Sequence, residues 1–210
     1  FAIINGYFFT RTFFLFDQSN MRSLFNIIPL VYIFFIPAIT MSLIAKEKNL
    51  GTMEVISTLP LKDLDFVLGK FLASLSLIIV GLLFTLVHFI TLIMVGTDID
   101  YGPIFSGYLG LSLLGSVYAS IGIFSSSLTD NQVIAFIIGI FIVLIFFLMD
   151  KMLIFVPYYL TEIIQYLSVD FHLSNISRGV IDTRNLVYFS SVTGFFLFLT
   201  VRILEMRKWN

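Results

Sequence analysis

Cysteine is absent from the 210-residue sequence, and charged residues make up only 12% of it. Without cysteine the chain has no disulfide, no thiolate metal site and no cysteine nucleophile. An ordinary soluble domain carries about 25% charged residues, roughly twice the fraction found here. The net charge of −1 gives no general electrostatic basis for binding nucleic acid. Thiol chemistry is therefore excluded, and nucleic acid is not an expected partner.

Apolar side chains dominate the composition. Hydrophobic residues form 59% of the sequence, 25 residues are phenylalanine, and the mean hydropathy is +1.03. Soluble domains are only about 45–50% apolar. The composition therefore predicts an all-α, polytopic bundle of membrane helices in contact with membrane lipid, with no room for a separate soluble domain. Because the sequence begins at Phe1 inside an apolar run, we expect the first span to be truncated.

Six apolar stretches have the length and spacing of membrane spans. The uncharged stretch 24–45 has 22 residues. At about 1.5 Å rise per residue, such a helix covers a hydrocarbon core of about 30 Å. Pro29 and Pro37 lie inside it, so we expect a kink or a late helix start there. The predicted spans are residues 1–16 (partial), 24–45, 71–95, 103–128, 133–149 and 186–204.

Two longer segments between spans are amphipathic. The first is residues 46–70, which we call the elbow. The second, residues 150–185, is too polar to span and too hydrophobic for a free loop. Within it, residues 158–167 predict an amphipathic helix in the interface plane, and residues 172–181 predict another short helix that Gly179 ends. We expect this segment to form short interfacial or re-entrant helices.

Lysine and arginine are distributed unevenly between the two sides of the predicted bundle. Seven lie on the side of the elbow and the C-terminus, and five lie on the other side. The positive-inside rule therefore predicts that the elbow is cytoplasmic and that residues 150–185 are extracytoplasmic. The first group is Lys46, Lys48, Lys62, Lys70, Arg202, Arg207 and Lys208, and the second is Arg11, Arg22, Lys151, Arg178 and Arg184.

The elbow combines charges with a hydrophobic pattern. Gly51 is expected to bend the chain, and the Thr52 hydroxyl to cap the helix that follows. Pro60 ends that helix, and Asp63 and Asp65 occupy the first turn of the next one, where acidic groups complement the helix dipole. The pattern predicts an elbow of two short helices. It is either a docking surface for a soluble partner or an interfacial hairpin without one. Its apolar patch consists of Met53, Val55, Ile56 and Leu59.

Small side chains recur at helical spacing in the span 103–128. Small residues let helix backbones approach closely in lipid, so this helix is expected to be buried among its neighbours. A substrate path is the alternative interpretation. The helix-packing residues are Gly115, Ala119, Gly122 and Ser126.

Ionisable side chains are scarce within the predicted spans. His88 is the only histidine in one of them, and we expect it to hydrogen-bond a neighbouring helix rather than to act chemically. The sequence has no HExxH motif and no paired acidic motif, which argues against a metal site and an intramembrane enzyme. The absence of a mid-span carboxylate argues against an ion-coupled secondary transporter.

Several blocks of sequence resemble one family of membrane proteins. Glu47 followed by Gly51-Thr52-x-Glu54, then Leu59-Pro60 and Leu68-Gly69-Lys70, looks like the coupling-helix region of ABC-2-type transporter permeases. Three further blocks resemble the gliding-motility-associated permease subfamily (GldF-type) and come in the order expected for it. They are residues 37–41, 125–132 and 176–182.

The resemblance implies a six-helix permease of an ABC exporter in the cytoplasmic (inner) membrane, with a link to gliding motility. It would pair with a second permease subunit as a homodimer or heterodimer. A separate cytoplasmic ATP-binding subunit would dock on the elbow and hold ATP and Mg²⁺, so this chain needs no cofactor. The ATPase-docking residues so implied are Glu47, Gly51, Thr52, Met53, Glu54, Ile56, Leu59 and Pro60.

The chain itself is not expected to hydrolyse ATP. A phosphate loop needs the pattern G-x-x-x-x-G-K-[ST]. Here Gly69-Lys70 is followed by Phe71, and Leu64 stands at the position of the first glycine. The alternatives to the permease interpretation are an ion-coupled secondary transporter and a non-transporting membrane scaffold.

Overall fold

A computed structural model describes residues 1–15, 21–57, 60–95 and 100–207. This part of the chain forms ten α-helices and one 3₁₀ helix, without strands. The predicted all-α class is therefore confirmed. The helices are α1 (Ala2–Leu15), α2 (Arg22–Thr40), α3 (Ala45–Asn49), α4 (Thr52–Ser57), α5 (Asp63–Val95), α6 (Tyr101–Leu128), α7 (Gln132–Leu148), the 3₁₀ helix (Lys151–Phe155), α8 (Tyr158–Leu167), α9 (Val169–Ser177) and α10 (Thr183–Arg207).

Several of these helices have the dimensions of membrane spans. Helix α7 is apolar but only 17 residues long, and α1 has 14 residues. Their neighbours are longer, and together they indicate a multi-pass membrane protein. The described residues contain four helical stretches that are long and apolar enough to cross a membrane. They are Leu24–Asn49, Asp63–Val95, Tyr101–Leu128 and Thr183–Met206.

Helix α6 lies at the centre of the bundle. It contacts α2, α5, α7, α9 and α10. In an apolar 18-residue stretch of α6, 72% is buried, against 22% in the corresponding stretch of α5. The predicted burial of this small-residue helix is confirmed. Helix α5, by contrast, turns many large apolar side chains outward, among them Leu72, Leu83, Phe84 and Val87.

The segment between α7 and α10 forms a second layer at one end of the bundle. Helix α8 has no buried residue. Helix α9 enters the bundle and packs against α6, α7 and α10, with Val169, His172, Leu173 and Ile176 buried. It begins three residues before the expected start at 172 and ends at Ser177. Gly179 follows with φ +94°, the left-handed conformation that commonly ends helices.

The elbow lies at the opposite end and is built differently from the prediction. It contains α3 and α4, which are both short. Residues from Asp63 onward already belong to the 33-residue helix α5, so the expected second short helix is the start of a membrane helix. Asp63 and Asp65 do lie in the first turn of α5. The two short helices of the elbow are therefore α3 and α4.

Candidate functional site

Two glycines of α6 bring other helices close to it. A Cβ atom added to Gly122 would lie 1.9 Å from Oγ1 of Thr40 in α2. A Cβ added to Gly115 would lie 2.9 Å from Cγ2 of Ile78 in α5. Ala119, between the two glycines, is fully buried. The small side chains of α6 thus allow α2 and α5 to pack directly against its backbone.

Ser126, one turn after Gly122, makes contacts beyond packing. Its hydroxyl donates to the carbonyl of Met41 at 2.8 Å and accepts from the amides of Ile44 at 3.1 Å and Ala45 at 2.9 Å. In an unbroken α-helix the Ala45 amide would bond to the Met41 carbonyl. The Ser126 hydroxyl is therefore inserted into this backbone bond, and its one proton and two lone pairs are all used.

This insertion coincides with the break between α2 and α3. Residues 41–44 form an irregular turn, and a side chain that enters the backbone ladder is a known cause of such a break. Of the two outcomes predicted for the prolines, a kink or a late helix start, the late start does not occur, because α2 begins at Arg22 and runs through Pro29 and Pro37 to Thr40. The elbow therefore starts where α6 contributes a hydroxyl.

Two lysines attach α3 to membrane helices. The Lys48 ammonium donates to the carbonyl of Ser127 at the end of α6. The Lys70 ammonium of α5 pairs with the Glu47 carboxylate, and both side chains are about three-quarters shielded from solvent. Partly buried pairs are screened by salt less than surface pairs. Glu47, an implied docking residue, therefore faces α5.

Met53 packs α4 against the bundle. Met53 is only 7% exposed. It belongs to an apolar cluster that includes residues of α5, α6 and α10. The buried members of this cluster are Ile44, Met53, Val67, Ile123, Val201 and Leu204.

The other side of the elbow is exposed. Leu50, Val55 and Leu61 are 63%, 66% and 53% exposed, and Glu54 is exposed next to Val55. We call Leu50, Glu54, Val55 and Leu61 the outer face of the elbow. It combines large apolar side chains with a carboxylate. Exposed apolar side chains rimmed by polar ones mark an interaction surface, for a protein or for a membrane.

The link between α3 and α4 depends on Gly51, whose φ of +70° favours glycine. The Thr52 hydroxyl donates to the carbonyl of Glu47 at 3.1 Å, so it satisfies a carbonyl at the end of α3. Pro60 is exposed, as are Gly51 and Thr52. Leu59 and the side chain of Ile56 lie outside the described residues.

His88 lies between α5 and α1. Its Nδ1 atom is 3.1 Å from the carbonyl oxygen of Thr85 in its own helix, and its ring meets Phe9 edge-on. Its Nε2 atom lies 3.2 Å from the position of a Cβ on Gly6. The hydrogen bond of Nδ1 therefore runs within α5 rather than to a neighbouring helix, and the ring fills the space beside a glycine of α1.

A polar cluster around His172 was not predicted from the sequence. In the structure this buried ring lies between α8, α9 and α10. Its Nδ1 is 2.7 Å from Oδ1 of Asn185, and its Nε2 is 2.8 Å from the Tyr166 carbonyl oxygen. The ring stacks on Tyr188 with centroids 4.0 Å apart. The only local signal is a histidine among apolar residues in a segment too polar to span.

Metal binding finds no support in the geometry. Among the residues that the structure describes, no group of three or more His, Asp or Glu side chains is placed to hold a metal ion.

Comparison with known proteins identifies one family. Residues 9–201 match the family model described as ABC-2 family transporter protein, so the match covers most of the chain from α1 to α10. A search of the curated proteins finds no match.

Proposed function

Because this chain belongs to the ABC-2 family of transporter proteins, we propose that it is the permease subunit of an ABC exporter. A separate cytoplasmic ATPase binds the elbow, and ATP hydrolysis there moves a substrate across or out of the membrane. Permeases of this family are membrane components without an ATPase site of their own, which agrees with the missing phosphate loop. ATP and Mg²⁺ therefore belong to the partner subunit.

The attachment of the elbow to three membrane helices carries this proposal. Ser126 ties the start of α3 to α6, and the Glu47–Lys70 pair ties α3 to α5. Met53 packs α4 against Val201 of α10 and its neighbours. A protein that moves the elbow therefore moves membrane helices, because interlocked groups transmit displacement through packed contacts.

The outer face of the elbow is the surface on which the ATPase would bind. Leu50, Val55 and Leu61 provide apolar contact area, and Glu54 provides charge complementarity. Met53 and Glu47 act from the inner side as positioning residues. This division revises the docking set that the sequence implied, because two of its members hold the elbow in place rather than meeting the partner.

The remaining parts of the proposal follow from the family and the charge distribution. The elbow lies in the cytoplasm because its side of the bundle, together with the C-terminus, carries seven of the twelve lysines and arginines. A second permease subunit, identical or related, completes the transporter in the inner membrane. A link to gliding motility is the narrowest part, and sequence resemblance alone supports it.

A charge placed on the outer face tests the docking surface. We expect Val55→Asp to reduce at least tenfold the amount of phosphate-loop ATPase that co-purifies with the tagged chain from its own membranes, because a buried unpaired carboxylate opposes an apolar contact. Val180 is a matched control, since it is 61% exposed at the opposite end. Val180→Asp should retain the ATPase.

Equal recovery of the ATPase with both variants would overturn the docking proposal. Transport of a solute by the purified chain in liposomes, driven by a proton or sodium gradient without ATP, would favour the ion-coupled alternative. A chain that neither transports nor binds an ATPase in these assays would be a scaffold.

A further inference from the structure

A cavity of about 380 Å³ lies at the end of the bundle away from the elbow. The start of α2, the end of α7, the 3₁₀ helix and α9 enclose it. Its volume is within the range of small-molecule sites, which is about 300–1,000 Å³. Phe147 and Leu173 are among its apolar walls. Its polar walls come from Asn26, Lys151, Asp170, Ser174 and Ser177.

The polar groups of α9 in this cavity offer mainly acceptors. The Ser174 hydroxyl donates to the carbonyl of Phe171 at 2.9 Å, and the Ser177 hydroxyl donates to the carbonyl of Ser174 at 3.0 Å. With their protons engaged on the backbone, both hydroxyl oxygens keep lone pairs for a ligand. Asp170 adds a carboxylate, which accepts several hydrogen bonds at once. Ligand groups rich in N–H donors match such a surface.

The ion-pair cluster formed by Lys151, Asp150 and Asp170 carries a net charge of −1. The Lys151 ammonium is 2.7 Å from Oδ2 of Asp170 and 3.8 Å from Oδ2 of Asp150. The hydrogen bond to Asp170 raises the pKa of Lys151, so the ammonium is charged at neutral pH. One ammonium and two carboxylates leave one net negative charge. The local electrostatics therefore favour a cation over an anion.

The ion pair between Lys151 and Asp170 is partly exposed to solvent. Its side chain is 57% exposed, whereas that of Asp170 is 27% exposed. An exposed lysine pair contributes little to stability, because its long stem loses entropy when held and water competes for its charge. A second ammonium with an apolar body would gain apolar contact area against Phe147 and Leu173 in the cavity.

We propose that this cavity binds an organic cation, namely an ammonium group attached to an apolar body. The ligand ammonium displaces Lys151 from Asp170, and the apolar body lies against Phe147 and Leu173. The proposal concerns binding alone and does not depend on the ATPase or on transport.

Calorimetric titration of the full chain in lipid nanodiscs tests the charge preference, with empty nanodiscs as the blank. The probes are 4-phenylbutylammonium and 4-phenylbutyrate, which share an apolar body and differ in the sign of the charged group. We expect the ammonium to bind at least tenfold more tightly than the carboxylate. Equal affinity, tighter binding of the carboxylate or no binding of either probe would overturn the proposal.

The two charged residues of the cavity change the affinity in opposite directions. Asp170→Asn removes the acceptor charge and should weaken ammonium binding at least tenfold. Lys151→Met removes the competing ammonium and should tighten it several-fold, whereas an anion site would lose its binding. Glu162→Gln, at an exposed carboxylate of α8, is the control and should leave the affinity unchanged.

The test does not depend on one variant. If Asp170→Asn fails to fold, the direction of the Lys151→Met effect still decides, because Lys151 is largely exposed and contributes little to the fold. Weaker ammonium binding by folded Lys151→Met would overturn the proposal on its own.

Discussion

The hydroxyl oxygen of Ser126 lies 2.9 Å from the backbone nitrogen of Ala45, although the two residues are 81 positions apart. The same hydroxyl donates to the Met41 carbonyl, so a side chain of α6 stands between two groups that would otherwise bond to each other. The course of the chain from α2 into the elbow therefore depends on the position of α6. A movement of α6 along its axis would therefore displace the start of α3.

Removal of this hydroxyl should straighten the chain. In Ser126→Ala the Ala45 amide can bond directly to the Met41 carbonyl, so α2 and α3 should merge and the elbow should move by several ångströms. Because one backbone bond replaces the lost ones, the free energy of unfolding should fall by less than about 1.5 kcal/mol. Spin labels on cysteines at exposed Leu50 and Met206 measure the movement, since the chain has no cysteine of its own.

Ser127→Ala is the control for this measurement. Ser127 is equally buried, but its hydroxyl donates to the Phe124 carbonyl within α6. Its loss should leave the label distance unchanged. Identical distance distributions for the Ser126 and Ser127 variants would contradict the insertion of Ser126 into the helical ladder.

Gly122→Ala should separate α2 from α6. The new methyl group would overlap Oγ1 of Thr40, only 1.9 Å away, and Cβ of the same residue at 2.8 Å. We expect a loss of about 1–3 kcal/mol, the usual cost of overpacking. Thermal unfolding in detergent measures it. Gly194→Ala, a helical glycine with no neighbour within 4 Å, should be neutral or stabilising by up to about 1 kcal/mol.

The Glu47–Lys70 pair should show a measurable coupling energy. A double-mutant cycle of Glu47→Gln and Lys70→Met should give about 1–3 kcal/mol, because the pair is largely shielded from water and salt. The control is the ion pair between Arg202 and Glu205, whose nitrogen and oxygen atoms are 3.0 Å apart but whose side chains are exposed to solvent. Its coupling energy should be below about 0.5 kcal/mol. Equal coupling energies would show that the burial of the first pair is unimportant.

The two histidines should differ in their contribution to stability. His172→Leu leaves the Asn185 side chain and the Tyr166 carbonyl without their partner in a buried site, at a cost of about 1–3 kcal/mol for each unsatisfied group. His88→Leu removes one contact to a carbonyl of its own helix, so unfolding should change by less than about 1 kcal/mol. Thermal unfolding of both variants under one condition provides the comparison, and a larger loss for His88→Leu would contradict it.

Much of the fold could be predicted from the sequence because lipid imposes a strong constraint. Helix α6 could be predicted to span and to be buried, since its apolar length and small residues are local properties. The partner of Ser126 could not, because its contacts lie about eighty positions away and a serine in a small-residue stripe has no pattern that distinguishes it from Ser127.

The orientation of α4 was also beyond the sequence. In a helix of six residues, Met53 and Val55 are both apolar, and the pattern is too short to show which side faces the bundle. Met53 is the buried residue of the two because α5 and α10 lie against its side of α4. The burial of α9 was missed for the same reason, since its apolar side chains fit a membrane interface as well as they fit a bundle.

Helix α5 runs without interruption for 33 residues from Asp63 at the elbow to Val95 at the far end. Its length of about 50 Å exceeds the hydrocarbon core of about 30 Å. Such a rod acts as a lever. If the helix is held at Lys70 and its axis tilts by about 5°, the far end, about 38 Å away, moves by about 3 Å. A small rotation imposed through the Glu47–Lys70 pair would therefore displace the far end of α5 by about the width of a water molecule.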